Sequence, residues 1–260
     1  MDIKQCRAVE DINFPDGMLR LDYRSHVDGT QDWALILPPA GGNRWVFCIH
    51  GHGSHGDQLY TREDIRQCWL PCFKKHGLGI ITPNLRDNAW MGPAAASDLS
   101  DLLDYLRQSY DAMSFVLASG SMGGTSNLIY AALHPENVAG VAALCPATDL
   151  ASYHAWCRDR NSGVIKEIAD AIESSYGGPP DQNPEIYMKH SVLHNADRLN
   201  MPVFIAHGNN DEIIPVHQPR LLAGKMGSST NYAYIEVPDG GHDSPLSCIP
   251  DAFDWLMKRI

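Results

Sequence analysis

Nowhere in the 260 residues does an apolar stretch approach the roughly 18 uninterrupted residues that a membrane-spanning helix needs, so no transmembrane segment is expected. The first residues, Met1-Asp2-Ile3-Lys4-Gln5, lack the basic stretch and apolar run of a secretory leader. Positive charge is scarce as well: 20 Lys and Arg stand against 31 Asp and Glu, a formal charge of −11. Such a surface repels phosphate backbones and anionic lipid, which argues against nucleic-acid partners and against membrane docking. Internal repeats and low-complexity tracts are missing. The cysteines offer no framework either. There are seven, an odd number, and Cys48 and Cys145 fall inside apolar runs, where cysteine acts as a small hydrophobe. Cys68 and Cys72 can share a helix face, but no second pair at zinc-ligand spacing accompanies them. Reduced thiols and a cytoplasmic location are therefore expected.

What is present is ordinary globular composition, 44% hydrophobic and 20% charged, which excludes wholesale disorder. A chain of this mass buries about three quarters of its unfolded surface, so neither metal nor disulfide is needed to hold a core. Short apolar runs alternate with helical patterns. Trp33–Leu37 and Trp45–Ile49 flank a Pro-Pro-Ala-Gly-Gly turn and read as two adjacent strands. Residues 78–82, 115–118, 138–144, 203–206 and 232–237 continue the strand series. Ile65, Trp69, Cys72 and Phe73 mark a helix, with a kink or break expected at Pro71. Further helices are read at Leu99–Leu106, Asn127–Leu133 and Ile249–Lys258. Alternating strands and helices predict a mostly parallel central sheet covered by helices on both faces, as one domain over residues 1–260. Residues 147–200 break the rhythm with helical patches and a Gly-Gly-Pro-Pro turn. They are expected to form a short cap over the carboxyl edge of the sheet.

Four loops after strands carry residues able to do chemistry. Ser119-Gly120-Ser121-Met122-Gly123-Gly124 lies between a strand and a helix. A serine on so tight a turn is pushed into a strained backbone with its hydroxyl exposed, and the residues two before and two after it must be small. Ser119 and Gly123 flank Ser121 in those positions. Choosing Ser119 as nucleophile would put Leu117 there instead. His50-Gly51-His52-Gly53 follows an earlier strand. Its free backbone N–H groups, from His52 or Gly53, together with that of Met122, are candidates to bind an oxyanion. His207-Gly208-Asn209-Asn210-Asp211 and Gly240-Gly241-His242 follow two later strands. A serine hydroxyl becomes a nucleophile when a histidine takes its proton, and the histidine needs a carboxylate to orient it. The order Ser121, Asp211, His242 meets that need, with Asp149 as the alternative acid. Trp90, Tyr153 and Trp156 are candidate substrate-pocket residues.

On these motifs the chain resembles the α/β-hydrolase superfamily, in particular the catalytic domain of the prolyl oligopeptidases and their small esterase relatives. The matching motifs are His50-Gly51, Ser121-Met122-Gly123-Gly124, His207-Gly208-x-x-Asp211 with Pro215, and Gly241-His242. The resemblance implies Ser121 as nucleophile, His242 as general base and acid, and Asp211 as the orienting carboxylate, without metal or cofactor. It departs from the peptidases at Thr82–Asn88, where they carry a glycine-rich loop, and the 44 residues before Trp45 are too few for their β-propeller. These differences favour a small-molecule ester as substrate and a carboxylesterase as the activity. A serine peptidase or acyl transferase is the alternative within the same chemistry. Two others lie outside it: a metallohydrolase using His50, His52 and His55, and a protein that binds a ligand without turning it over. The spacing His50-x-His52-x-Ser54-His55 departs from a metal-binding pattern by placing serine where an aspartate ligand belongs. Substrate identity and oligomeric state are not read from the sequence.

Overall fold

In the computed structural model, which describes residues 1–227 and 229–260, the strands are β1 (Asp2–Ala8), β2 (Leu19–Arg24), β3 (Gln31–Leu37), β4 (Arg44–Phe47), β5 (Gly79–Pro83), β6 (Ser114–Gly120), β7 (Gly140–Leu144), β8 (Val203–Gly208) and β9 (Tyr232–Val237). The helices are α1 (Gln58–Thr61), α2 (Glu63–Lys75), α3 (Pro93–Tyr110), α4 (Ser121–Leu133), α5 (Leu150–Arg160), α6 (Gly163–Tyr176), α7 (Pro184–His190), α8 (His217–Met226) and α9 (Ile249–Leu256). All nine strands join one sheet in the order β1-β2-β3-β5-β4-β6-β7-β8-β9. The run from β5 to β9 is parallel, and β1, β2 and β3 extend it antiparallel.

Successive side chains in a strand point to opposite faces, so the parallel strands feed two cores. Trp45, Phe47, Leu117, Ala143 and Ile205 pack with α3, α4 and the 147–200 segment, while Val46, Val116, Ala142 and Phe204 pack with α2 and α9. Burial on both faces is why these strands read as continuous apolar runs.

Three features differ from the sequence expectation. β3 and β4 are not neighbours, because β5 lies between them. Pro38 and Pro39 lack the N–H donors a tight hairpin uses, and β4 instead pairs in parallel on both sides. The helix carrying Pro71 is unbroken from Glu63 to Lys75. Pro71 sits on its exposed face, where the carbonyl left without a partner one turn earlier can be hydrated. Finally, β1 and β2 were not foreseen. Every residue of β1 is exposed, so it carries no hydrophobic alternation to read, although Leu19, Leu21 and Tyr23 in β2 do alternate. The 147–200 segment holds α5, α6 and α7 and no strand. No helix among the described residues is long and apolar enough to cross a membrane, and all seven cysteines are free.

Candidate active site

The parallel strands end together, and the loops at their carboxyl ends bring the chemistry-bearing residues to one place. β6 turns into α4 at Ser121, whose φ of 56° lies in the left-handed region that a non-glycine residue enters only under strain. The tightness of the turn has a measurable cause. A Cβ on Gly123 would stand 2.2 Å from the Ile49 carbonyl oxygen and 2.8 Å from Ser119 Cβ. Ser119 is fully buried and braces the turn: its hydroxyl accepts the Ile49 N–H at 2.8 Å and donates to the side-chain oxygen of Asn127 at 2.9 Å. It is turned into the protein, whereas Ser121 faces a cavity.

His242 places Nε2 2.8 Å from Ser121 Oγ and Nδ1 2.7 Å from Asp211 Oδ2. The structure thus brings together three residues separated by 90 and 31 positions in sequence. Gly208 makes this possible, since a Cβ there would meet the Gly240 and Gly241 carbonyl oxygens at 2.3 and 2.4 Å. The loops bearing Asp211 and His242 lie backbone to backbone at that point. The Asp211 side chain is buried, and its Oδ1 accepts the N–H groups of Ile213 and Ile214 at 2.8 and 2.9 Å. Burial alone would raise its pKa. Hydrogen bonds from His207 and His242 outweigh that and hold the carboxyl well below the usual carboxylate range. Asp149 is elsewhere engaged, capping α5 through the Ser152 N–H at 3.3 Å.

Of the candidate oxyanion donors, Gly53 is committed, because its N–H donates to Asn88 Oδ1 at 2.8 Å. Among the described residues, the N–H groups of His52 and Met122 have no protein acceptor, and Met122 opens the first turn of α4. The turn containing His52 is held by His50, whose ring nitrogens stand 2.8 Å from the Gly51 carbonyl oxygen and 2.9 Å from that of Asn84. Burial lowers the pKa of both His50 and His52. The histidines are not gathered as a ligand set, since His50 faces backbone carbonyls, His52 Nδ1 accepts from Trp90 Nε1 at 3.2 Å, and His55 faces Asp87. No group of three or more metal-ligating side chains occurs among the described residues.

A narrow cavity of about 30 Å³ adjoins Ser121. Leu59, Ile65, Trp69 and Leu246 supply apolar wall, and His50, Gln58, Arg62 and Asp243 supply polar wall. Trp90, Tyr153 and Trp156 do not line it. Trp90 and Tyr153 are fully buried and pack at 5.6 Å, with Trp156 stacked on Tyr153 at 5.9 Å, so the three tie α5 to the loop after β5. Arg62, at the N-terminus of α2, reaches Asp243 beside His242 at 2.9 Å. These two positions are 181 residues apart, and no local pattern announces the pairing.

A mostly parallel sheet, a serine on a strand-to-helix turn, and an acid and a histidine following in that order on later loops define the α/β-hydrolase class. A profile described as the alpha/beta hydrolase fold matches residues 44–163. The chain has the α/β-hydrolase fold. A 68-residue stretch is 31% identical to Esterase LipC of Mycobacterium tuberculosis, but it covers only 25% of this chain and 17% of that protein. Among solved structures, a puromycin-hydrolyzing peptidase from M. tuberculosis superposes with a TM-score of 0.68 at 18% identity, over 92% of this chain and 39% of that one. An S-formylglutathione hydrolase from Agrobacterium tumefaciens gives a TM-score of 0.69 at 14% identity, over 100% and 99% of the two chains. At such identities these two likenesses speak to the fold. The first two proteins are much longer than the part this chain matches.

Proposed function

We propose that this chain is a serine carboxylesterase that cleaves soluble short-acyl esters through an acyl-enzyme. The observation that carries the reading is the unbroken hydrogen-bonded line from Ser121 through His242 to Asp211, set on a strained turn beside a cavity. In this reading Ser121 Oγ attacks the ester carbonyl as His242 Nε2 takes its proton. Asp211, ionised and anchored by two backbone N–H groups, stabilises the imidazolium. The tetrahedral oxyanion is received by the N–H groups of His52 and Met122. Collapse expels the alcohol, which leaves with the proton from His242. Water then repeats the sequence on the acyl-enzyme, releasing the acid and free Ser121. No metal or cofactor enters.

The size of the cavity supports the substrate class. About 30 Å³ accommodates two or so water-sized spheres, enough for an acetyl or similar group. The test is labelling with a fluorophosphonate probe together with p-nitrophenyl acetate turnover, in the presence of EDTA. Expected are stoichiometric labelling and turnover, both abolished by Ser121→Ala. Turnover that survives Ser121→Ala, or that requires added zinc or manganese, overturns the reading.

A further inference from the structure

The loop after β5, residues 84–91, holds an unusual concentration of strain. Leu85, Arg86, Asp87, Trp90 and Met91 all have φ between 46° and 62°, and none is glycine. Such a backbone persists only where its surroundings over-determine it, and the anchors here are evident. The Arg86 N–H donates to Asp32 at 2.7 Å, while its guanidinium spans buried Asp98 at 2.5 Å and Asp28 at 2.8 Å. From α6, the Tyr176 hydroxyl reaches the carbonyl oxygens of Trp90 and Met91 at 3.1 and 3.2 Å.

What this braced loop touches is the turn 50–56. Asn84 O accepts from His50, Asn84 Oδ1 accepts the Gly56 N–H at 3.3 Å, Trp90 donates to His52, and Asn88 Oδ1 accepts the Gly53 N–H at 2.8 Å. The last contact has a particular consequence. The peptide unit before His52 is fixed by its carbonyl, Gly51 O, which faces His50 Nδ1 and accepts the Ser54 N–H at 3.1 Å. Among the described residues, the peptide unit after His52 has one hydrogen-bond anchor, the Gly53 N–H on Asn88. Gly53 itself adopts φ of 77° with nothing near the place a Cβ would occupy, so no side-chain clash holds the turn in that conformation.

We infer that Asn88 is a positioning residue for the oxyanion site. The His52 N–H lies in the first plane, already held through Gly51 O; by holding the Gly53 N–H, Asn88 fixes the second plane that meets it at the His52 Cα, so that this pivot, and with it the His52 N–H, stays aimed at the place where negative charge develops. Asn88 touches no reacting atom. This inference rests on the serine-esterase reading above, since it needs an oxyanion to be stabilised. Its effect belongs to the transition state, because the ester carbonyl in the ground state carries little charge for the donor to meet.

Asn88→Ala and the near-isosteric Asn88→Leu remove the acceptor. The rate is measured per active site titrated with a fluorophosphonate, so misfolded protein does not count. The expected result in either variant is a fall in kcat of roughly tenfold to a hundredfold, below the loss for deleting a donor outright. KM should stay within about twofold, and affinity for a trifluoromethyl ketone, which forms a tetrahedral oxyanion on the serine, should weaken by the same factor as kcat/KM. Fewer titratable sites with unchanged kcat per site would reduce Asn88 to a structural role and overturn the inference. So would a loss carried by KM, or undiminished ketone affinity. Failure of the wild-type protein itself to be labelled would instead overturn the esterase reading, which keeps the two failures distinct.

Discussion

Two serines stand two residues apart on one turn, and the environment separates their roles. Ser121 Oγ meets His242 Nε2 at the cavity, whereas Ser119 Oγ is spent on the Ile49 N–H and Asn127. Ser121→Ala should therefore remove ester turnover by several orders of magnitude while leaving the denaturant midpoint almost unchanged. Ser119→Ala should lower stability by about 1–3 kcal/mol, because a buried N–H and a buried amide lose their partner, and it should retain measurable turnover. The two acids divide in the same way. Asp211→Asn should cost on the order of 10³–10⁴ in kcat by leaving His242 in the wrong tautomer. Asp149→Asn, at a helix cap, should cost little in rate. Steady-state kinetics of both variants decide it, and the reverse ranking would move the acid to Asp149. Because Asp211 is held below the usual carboxylate range, it stays ionised under mild acid. Loss of kcat/KM in mild acid should then not come from protonation of Asp211, and Asp211→Asn should leave the shape of the acid limb unchanged.

At the scale of elements, α5 and α6 are braced against each other. Arg158 on α5 pairs with Asp170 and Glu173 on α6 at 2.7 and 2.6 Å, and His154 joins Glu173 at 2.7 Å. Part of this rigidity depends on a neutral histidine. His190 closes α7 with its ring against the Tyr176 hydroxyl and the Met91 carbonyl oxygen, both at 3.1 Å. Burial pulls its pKa down to about 4, against the Met91 hydrogen bond, which raises it; the neighbouring charges of Lys189 and His134 add to the lowering. In the unfolded chain a histidine takes its proton near pH 6.5. The unfolded state therefore gains the proton first as pH falls, and stability is lost between about 6.5 and 4, with no further loss from this group below that. The span corresponds to up to about 3 kcal/mol. Urea unfolding at pH 7 and pH 4.5 should show this decline, and His190→Gln should flatten it. An unchanged pH slope in the variant would assign the acid sensitivity to other groups.

For the whole molecule, net charge bears on what the site can meet. A formal charge of −11 opposes approach to anionic lipid, and α5 and α6 present paired charges in place of a broad apolar sheet. With a cavity of about 30 Å³ beside the serine, p-nitrophenyl ester turnover should fall steadily as the acyl chain lengthens from acetate beyond a few carbons. No jump in rate should appear when longer esters pass their micelle concentration. A preference for palmitate, or such a jump, would show that α5–α7 open as a lipid-sensing lid.

The line between what the sequence alone determined and what folding decided follows the range over which each constraint acts. Short-range sterics were legible. Strands buried on both faces wrote themselves as apolar runs, and a serine flanked by small residues at Ser119 and Gly123 announced the turn that carries Ser121. Asp211 and His242 were legible as polar residues just past strands, in an order that a parallel sheet brings to one edge. The rest depended on who lies beside whom. The interposition of β5 between β3 and β4, the pairing of Arg62 with Asp243, and the retreat of Trp90 and Tyr153 into packing left no local signature. The preference for His52 over Gly53 as the proposed oxyanion donor is the sharpest case. Both N–H groups sit on the same glycine-rich turn, and only the hydrogen bond from Gly53 to Asn88, 35 residues away on a different loop, distinguishes them. A backbone donor has no side chain to mark its role in sequence, so its direction is set by whatever the tertiary structure places opposite it.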